Sequence, residues 1–277
     1  MTAVFLMTAV CGTAGLSLTA SASARDESDQ LPDPDGGVKI GGGYAVTGQL
    51  SDVGYTAQMY DAANGLPTSD ANYILGSTDG YIWIGGYSGI IKYDGNTFER
   101  LDSASGLTSG RVIFEDSKQR IWVGTNDNGV VMINGSESRH YTYKDGLPSS
   151  SIRAFEEDSS GNIYIGTTSG IAYVDGDLRL GQVNDNRLYD EIILRLVSDK
   201  SGNVYGSTKD GDVFLINDGK VDQFYKSRDL GLETITTIYA DPDKEGLIYY
   251  GTGTNHIYYG RFGDHAARLN RISISSS

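Results

Sequence analysis

One phrase returns along this chain. "GYIWIGGYSGIIKYDGN" at residues 80–96 comes back as "QRIWVGTNDNGVVMINGS" at 119–136 and as "GNIYIGTTSGIAYVDGD" at 161–177. Aligned on the aromatic of the "IW" or "IY" pair, the copies fall at Trp83, Trp122, Tyr164, Tyr205 and Tyr249, with spacings of 39, 42, 41 and 44 residues. A "GL" pair precedes most copies, at Gly65-Leu66, Gly106-Leu107, Gly146-Leu147 and Gly231-Leu232, while the fourth reads Arg187-Leu188. A fixed period near forty means that one supersecondary unit is being stacked.

Each unit resolves into four short extended runs. In the third copy they are "SIRAFEED", "IYIGTT", "IAYVDG" and a weak "LRLGQV", joined by Ser/Gly and Asp-Gly turns. Apolar and polar residues alternate as half-buried strands require, and no run has a helical period with caps. Four strands at this period predict an all-β fold, a β-propeller of four-stranded antiparallel blades. Five blades are counted from about Ala71 to the C-terminus, and the ring is expected to be part of a larger one. "YTAQMYDA" (Tyr55 to Ala62) reads as an outer strand without partners of its own. The five anchor aromatics are expected to pack between blades. The Gly that follows them (Gly85, Gly124, Gly166, and Gly206 or Gly251) is expected where backbones approach closely.

Composition agrees. Gly at 37, Tyr at 19 and only 5 Pro suit short strands and tight turns. The formal net charge of −14 argues against a nucleic-acid partner and against adhesion to anionic lipid. Residues 1–24 are small and apolar and end in Ala22-Ser23-Ala24, which reads as an export signal lacking a basic start. Residues 25–54 read as an acidic, flexible linker, and residues 55–277 as the propeller. Cys11 has no partner for a disulfide within the chain, and no segment after the start is long and apolar enough to span a bilayer.

The words "NGLPTSDANYILGSTDGYIWIGGYSGIIKYDG", "SGLTSGRVIFEDSKQRIWVGTNDNGVVMING" and "DGLPSSSIRAFEEDSSGNIYIGTTSGIAYVDG" resemble the two-component-regulator propeller repeat over residues 64–260 or so. The resemblance implies the extracytoplasmic sensor propeller of a bacterial hybrid two-component or diguanylate cyclase signalling protein. Such sensors have seven-bladed rings and pass a signal through a membrane helix to an output domain. It therefore implies an exported, periplasmic or extracellular location, with membrane attachment only through a segment missing here. This chain reads as a sensor piece of such a protein. The alternatives are a stand-alone secreted binding propeller and, less favoured, a propeller lyase or glycosidase.

No catalytic residue, metal set or cofactor is assigned from the sequence. His140, His256 and His265 lack metal-pair spacing, and neither a G-x-S-x-G elbow nor a phosphate-binding Gly loop occurs. Ligand-binding candidates lie on the loops between second and third strands and on the innermost strands. Tyr87, Asn126 and Asp127 can hydrogen-bond a sugar or peptide, and Arg111 and Arg153 can take an anion. The plainer reading pairs these arginines with Glu115 or Glu157. The partner expected is a small molecule, an oligosaccharide or a peptide, with a homodimer as the oligomeric possibility.

Overall fold

In the computed structural model, residues 4–8, 39–40, 43–46, 56–61, 65–68, 70–101, 106–254 and 256–273 are described, with side chains from Tyr60 onward. The chain forms two compact units, residues 1–110 and 111–277. Every described sheet has four strands, and neighbouring strands run antiparallel.

In the first unit, β1 (Val4–Thr8), β2 (Lys39–Ile40), β3 (Gly43–Val46) and β4 (Thr56–Tyr60) form a sheet of order β1-β4-β3-β2. The strand expected within Tyr55 to Ala62 therefore does have partners: Thr56–Tyr60 pairs with Val4–Thr8 on one edge and with Gly43–Val46 on the other. A central strand satisfies both its hydrogen-bonding edges, which local pattern cannot reveal. The rest of the export-like segment 1–24 and of the linker 25–54 lies outside the described residues. The second sheet of this unit, blade 1, is β5 (Tyr73–Gly76), β6 (Ile82–Gly86), β7 (Gly89–Tyr93) and β8 (Phe98–Arg100).

The second unit holds blades 2 to 5, each a meander in chain order. Blade 2 is β9 (Val112–Glu115), β10 (Ile121–Gly124), β11 (Val130–Asn134) and β12 (Glu137–Tyr141). Blade 3 is β13 (Ile152–Glu157), β14 (Ile163–Thr167), β15 (Gly170–Val174) and β16 (Leu180–Gln182). Blade 4 is β17 (Ile193–Ser198), β18 (Val204–Thr208), β19 (Val213–Asn217) and β20 (Lys220–Tyr225). Blade 5 is β21 (Ile235–Ala240), β22 (Leu247–Thr252), β23 (His256–Arg261) and β24 (Asn270–Ser273). The first strands β9, β13, β17 and β21 pack consecutively against one another and form the inner edge. The fold is the expected one: all-β, with five propeller blades.

The repeated words act at the joints. Trp122 and Tyr164 are fully buried, and Tyr164 belongs to the core shared with Leu196, Val204 and Phe214 of the next blade. Burying one such aromatic is worth about 4 kcal/mol of apolar area. Each polar handle is then pinned to the hairpin turn below it. Trp122 Nε1 donates to Asp116 Oδ2 at 2.7 Å, Tyr205 Oη to Asp199 Oδ2 at 3.0 Å, and Trp83 Nε1 to Ser77 Oγ at 3.0 Å. Asp116 also accepts from Arg120 Nε at 2.6 Å, forming a buried ion pair.

Gly124 and Gly166 sit where a Cβ would come within 2.6 Å and 2.8 Å of Ile152 and Ile193, the first residues of the next inner strands. The leucine of the "GL" pair is buried in every copy, including Leu188. At Gly146 the backbone is left-handed (φ 112°) and caps a short 3-10 turn, so glycine is needed there and the leucine turns inward.

Candidate functional site

The loops between second and third strands lie at the same end of the second unit as the blade-to-blade connections. Hydrogen bonds tie the two sets together. Gly170 N–H donates to Glu191 O, Lys209 N–H to Ile192 O, and Ile152 N–H to Thr125 O. Between blades 3 and 4 this end opens into a cavity of about 400 Å³. Leu147, Pro148 and Ser169 line it from blade 3, and Asn184, Asp185 and Tyr189 from the connection to blade 4.

Local chemistry shapes the wall of that cavity. Asp185 Oδ1 accepts from the backbone and the Nε of Arg187, each at 2.9 Å, and its Oδ2 pairs with Arg187 Nη2 at 2.6 Å. The Arg187 side chain holds the Asp185 carboxyl below its ordinary range, so this part of the wall is a closed ion pair. Tyr189 is 77% exposed, a ring free to lie along a ligand. Asp190 takes a left-handed backbone (φ 60°) and accepts from Ser169 Oγ at 3.3 Å. Deeper on the same side, burial and then the charges of Asp210 and Asp212 push Glu191 up.

The sequence-based candidates are dispersed. Tyr87 belongs to the first unit; it is 67% exposed, and its N–H donates to Asp70 Oδ2 at 2.6 Å. Asn126 is half-buried and Asp127 exposed in the β10–β11 turn. Thr125 Oγ1 organises that turn, donating to Gly129 O and accepting from Asn128 N–H. Arg111 and Arg153 stand at the loop end of β9 and β13. The pairing with Glu157 is not made: Glu157 accepts from the N–H and Oγ of Ser117, both at 2.7 Å, and so bridges blades 3 and 2. Neither arginine forms an ion pair among the described residues.

The histidines have separate duties. His140 contacts Asn128 O through Nε2 at 2.6 Å, His256 meets Ser273 Oγ, and His265 caps a 3-10 turn.

A second cavity, of about 390 Å³, lies at the hairpin-turn end of blades 2 to 4. Glu156 lines it and had not been singled out from the sequence. Its Oε1 accepts from Ser198 Oγ of blade 4 at 2.9 Å, and burial pushes its carboxyl up to about 7. The register offers a signal. The residues at the same place in the other copies are Leu75, Phe114, Val197 and Tyr239, all paired with the anchor aromatic, so an acid there departs from the repeat.

Comparison with known proteins gives three results. The family model described as "Two component regulator propeller" matches residues 146–169. No curated protein sequence matches the chain. Among solved structures, virginiamycin B lyase from Staphylococcus aureus aligns with a TM-score of 0.60 at 13% identity, over 73% of this chain and 69% of that one. A streptogramin B lyase aligns at 0.61 and 14% identity, over 76% and 71%. A protein described as the extracellular domain of a hybrid two component system of B. thetaiotaomicron aligns at 0.59 and 19% identity, over 80% of this chain and 35% of that one. The chain thus spans about a third of that domain. At these identities the likeness is one of fold.

Proposed function

We propose that this chain, a propeller built from the two-component-regulator repeat, is the non-catalytic sensor module of a bacterial signal-transduction protein. It works on the outer side of the cytoplasmic membrane and is joined to its output by a membrane segment elsewhere in the protein. It takes a small molecule, an oligosaccharide or a peptide on its loop face. A binding event there shifts signalling only by its differential affinity for two states, for instance two packings of a homodimer.

One observation carries the reading. The segment matched by the family model, residues 146–169, contributes Leu147, Pro148 and Ser169 to the cavity between blades 3 and 4. The repeat and the concave surface are one structure. The separate hydrogen-bonding duties of His140, His256 and His265 support a binding role over a catalytic one.

The test is a thermal-shift screen of the full chain against neutral oligosaccharides, acidic oligosaccharides and short peptides, followed by calorimetry. A hit whose affinity falls at least tenfold in Asn184→Ala or Tyr189→Ala supports the reading. A hit that is chemically converted by the protein would overturn the non-catalytic assignment. Hits indifferent to both substitutions would remove the cavity from it.

A further inference from the structure

Arg111 and Arg153 occupy the same place in consecutive blades. Arg111 N–H donates to Gly124 O at 2.9 Å, immediately before Val112 pairs with Gly124. Arg153 immediately precedes Ala154, which pairs with Gly166, the residue equivalent to Gly124. It is the extra residue of a β-bulge between Ile152 and Ala154, a device that re-aims a side chain out of the regular pleat. Blades 4 and 5 carry Leu194 and Thr236 at this place, also in bulges, so the charge is confined to two neighbours.

β9 and β13 pack directly against each other, which brings positions 111 and 153 to one stretch of inner edge. Arg153 is half-buried there. Burial first, and the charge of Arg111 second, hold its guanidinium below its ordinary value. The chain has 36 acidic residues against 22 basic ones, yet none of the described acids is ion-paired with either arginine. The nearby acid on the same strand, Glu157, is engaged with Ser117 instead. A half-buried guanidinium facing a second like charge raises the energy of the folded chain. An oxyanion placed between two guanidinium forks would offset that cost through charge-assisted, bidentate hydrogen bonds.

We propose that Arg111 and Arg153 form an oxyanion subsite at the loop end of the inner strands, taking a carboxylate or sulfate group of the sensed ligand. This inference rests on the ligand-binding reading above and adds the ligand's charge to it. The chain's acidic excess, with Asp190 exposed on the loop face, makes the subsite selective. It repels an anion that lacks the right geometry and confines its approach to the paired forks.

The experiment titrates sodium sulfate, and separately a galacturonate trisaccharide, into the full chain by calorimetry. Sodium chloride holds the ionic strength constant. Both probes bind saturably to the wild type, with the trisaccharide distinguishing a carboxylate ligand from free sulfate. Arg153→Gln and Arg111→Gln each weaken both probes at least tenfold, and Arg153→Lys weakens them less, because it keeps the charge and loses the fork. Arg195→Gln removes a positive charge from the next inner strand, and Lys118→Gln one from the opposite end; both stay within twofold of wild type. Circular dichroism checks each fold, and if Arg153→Gln does not fold, the exposed Arg111→Gln and the Arg153→Lys variant carry the test. Sulfate behaving like chloride, or Arg195→Gln costing as much as Arg111→Gln, overturns the subsite. A neutral oligosaccharide that binds at Tyr189 without any anion effect also overturns it, and leaves the sensor reading standing.

Discussion

Blades 2 and 5 carry the same row of cross-strand neighbours and meet different surroundings. In blade 2 the row is Phe114, Trp122 and Met132; Phe155 of blade 3 reaches in from the next sheet, its ring 6.5 Å from Trp122. Trp122 is 0% exposed. In blade 5 the equivalent row is Tyr239, Tyr249 and Tyr259. Here the rings lean on each other instead, with Tyr249 stacked on Tyr259 at 5.2 Å and Tyr239 left 56% exposed. The anchor position is thus not intrinsically a core position. The neighbouring blade makes it one, and tyrosine, with an apolar body and a polar tip, tolerates either condition.

The largest expected effect tests that difference directly. Trp122→Ala should cost about 3–5 kcal/mol in chemical denaturation, as large aromatic truncations in cores do. Tyr249→Ala should cost about 1 kcal/mol. Equal losses would mean that the two rows are buried alike and would end the comparison. The turn acids sharpen it. Asp116→Ala strips partners from Trp122 Nε1, Arg120 Nε and two backbone N–H groups, and should cost about 3 kcal/mol. Asp241→Ala loses a longer bond of 3.4 Å from Tyr249 and an exposed turn contact from Asp243, and should cost under about 1 kcal/mol.

Blade 3 has Glu156 in this row, and its protonation adds a pH dependence. Its folded-state carboxyl titrates near 7 against an ordinary value of 4.5, so the native chain binds more protons than the unfolded one between those limits. Stability therefore falls as pH rises from 4.5 to 7. The ceiling is about 1.4 kcal/mol per pH unit, and partial exposure reduces the total to about 1–2 kcal/mol. Denaturation of Glu156→Gln at pH 5, 6, 7 and 8 should lose this slope and exceed wild type at pH 8; an unchanged slope would place the carboxyl in water. The smallest effect belongs to the exposed end of blade 5. Tyr239→Ser should stay within about 0.5 kcal/mol of wild type by the same measurement.

The repeat was legible because its residues solve the same local problem in copy after copy, the fourth lacking only the Gly. A Gly at a left-handed cap, a Leu beneath it and an aromatic on the second strand each leave a mark at fixed spacing. What was not legible depends on register and on other blades. Asp116 and Asp199 lie in hairpin turns, and only the pairing of strands brings them under the anchor rings. Glu156 and Glu157 are adjacent acids in one strand, yet alternation sends them to opposite neighbours, Ser198 and Ser117. The strand at Thr56–Tyr60 could be seen, but not its partners, Gly43–Val46 just upstream and Val4–Thr8 some fifty residues away. The arginines could be named as candidates, whereas their lack of an ion-pair partner among the described residues needed coordinates.

The glycine-to-isoleucine joints have a mechanical corollary. Where the isoleucine that opens β13 or β17 fills the space a side chain would need at Gly124 or Gly166, consecutive blades are keyed together like cogs. Close-packed contacts of this kind do not compress. Neighbouring inner strands therefore cannot slide past each other at these joints without a clash, and the glycines set the spacing of one blade from the next.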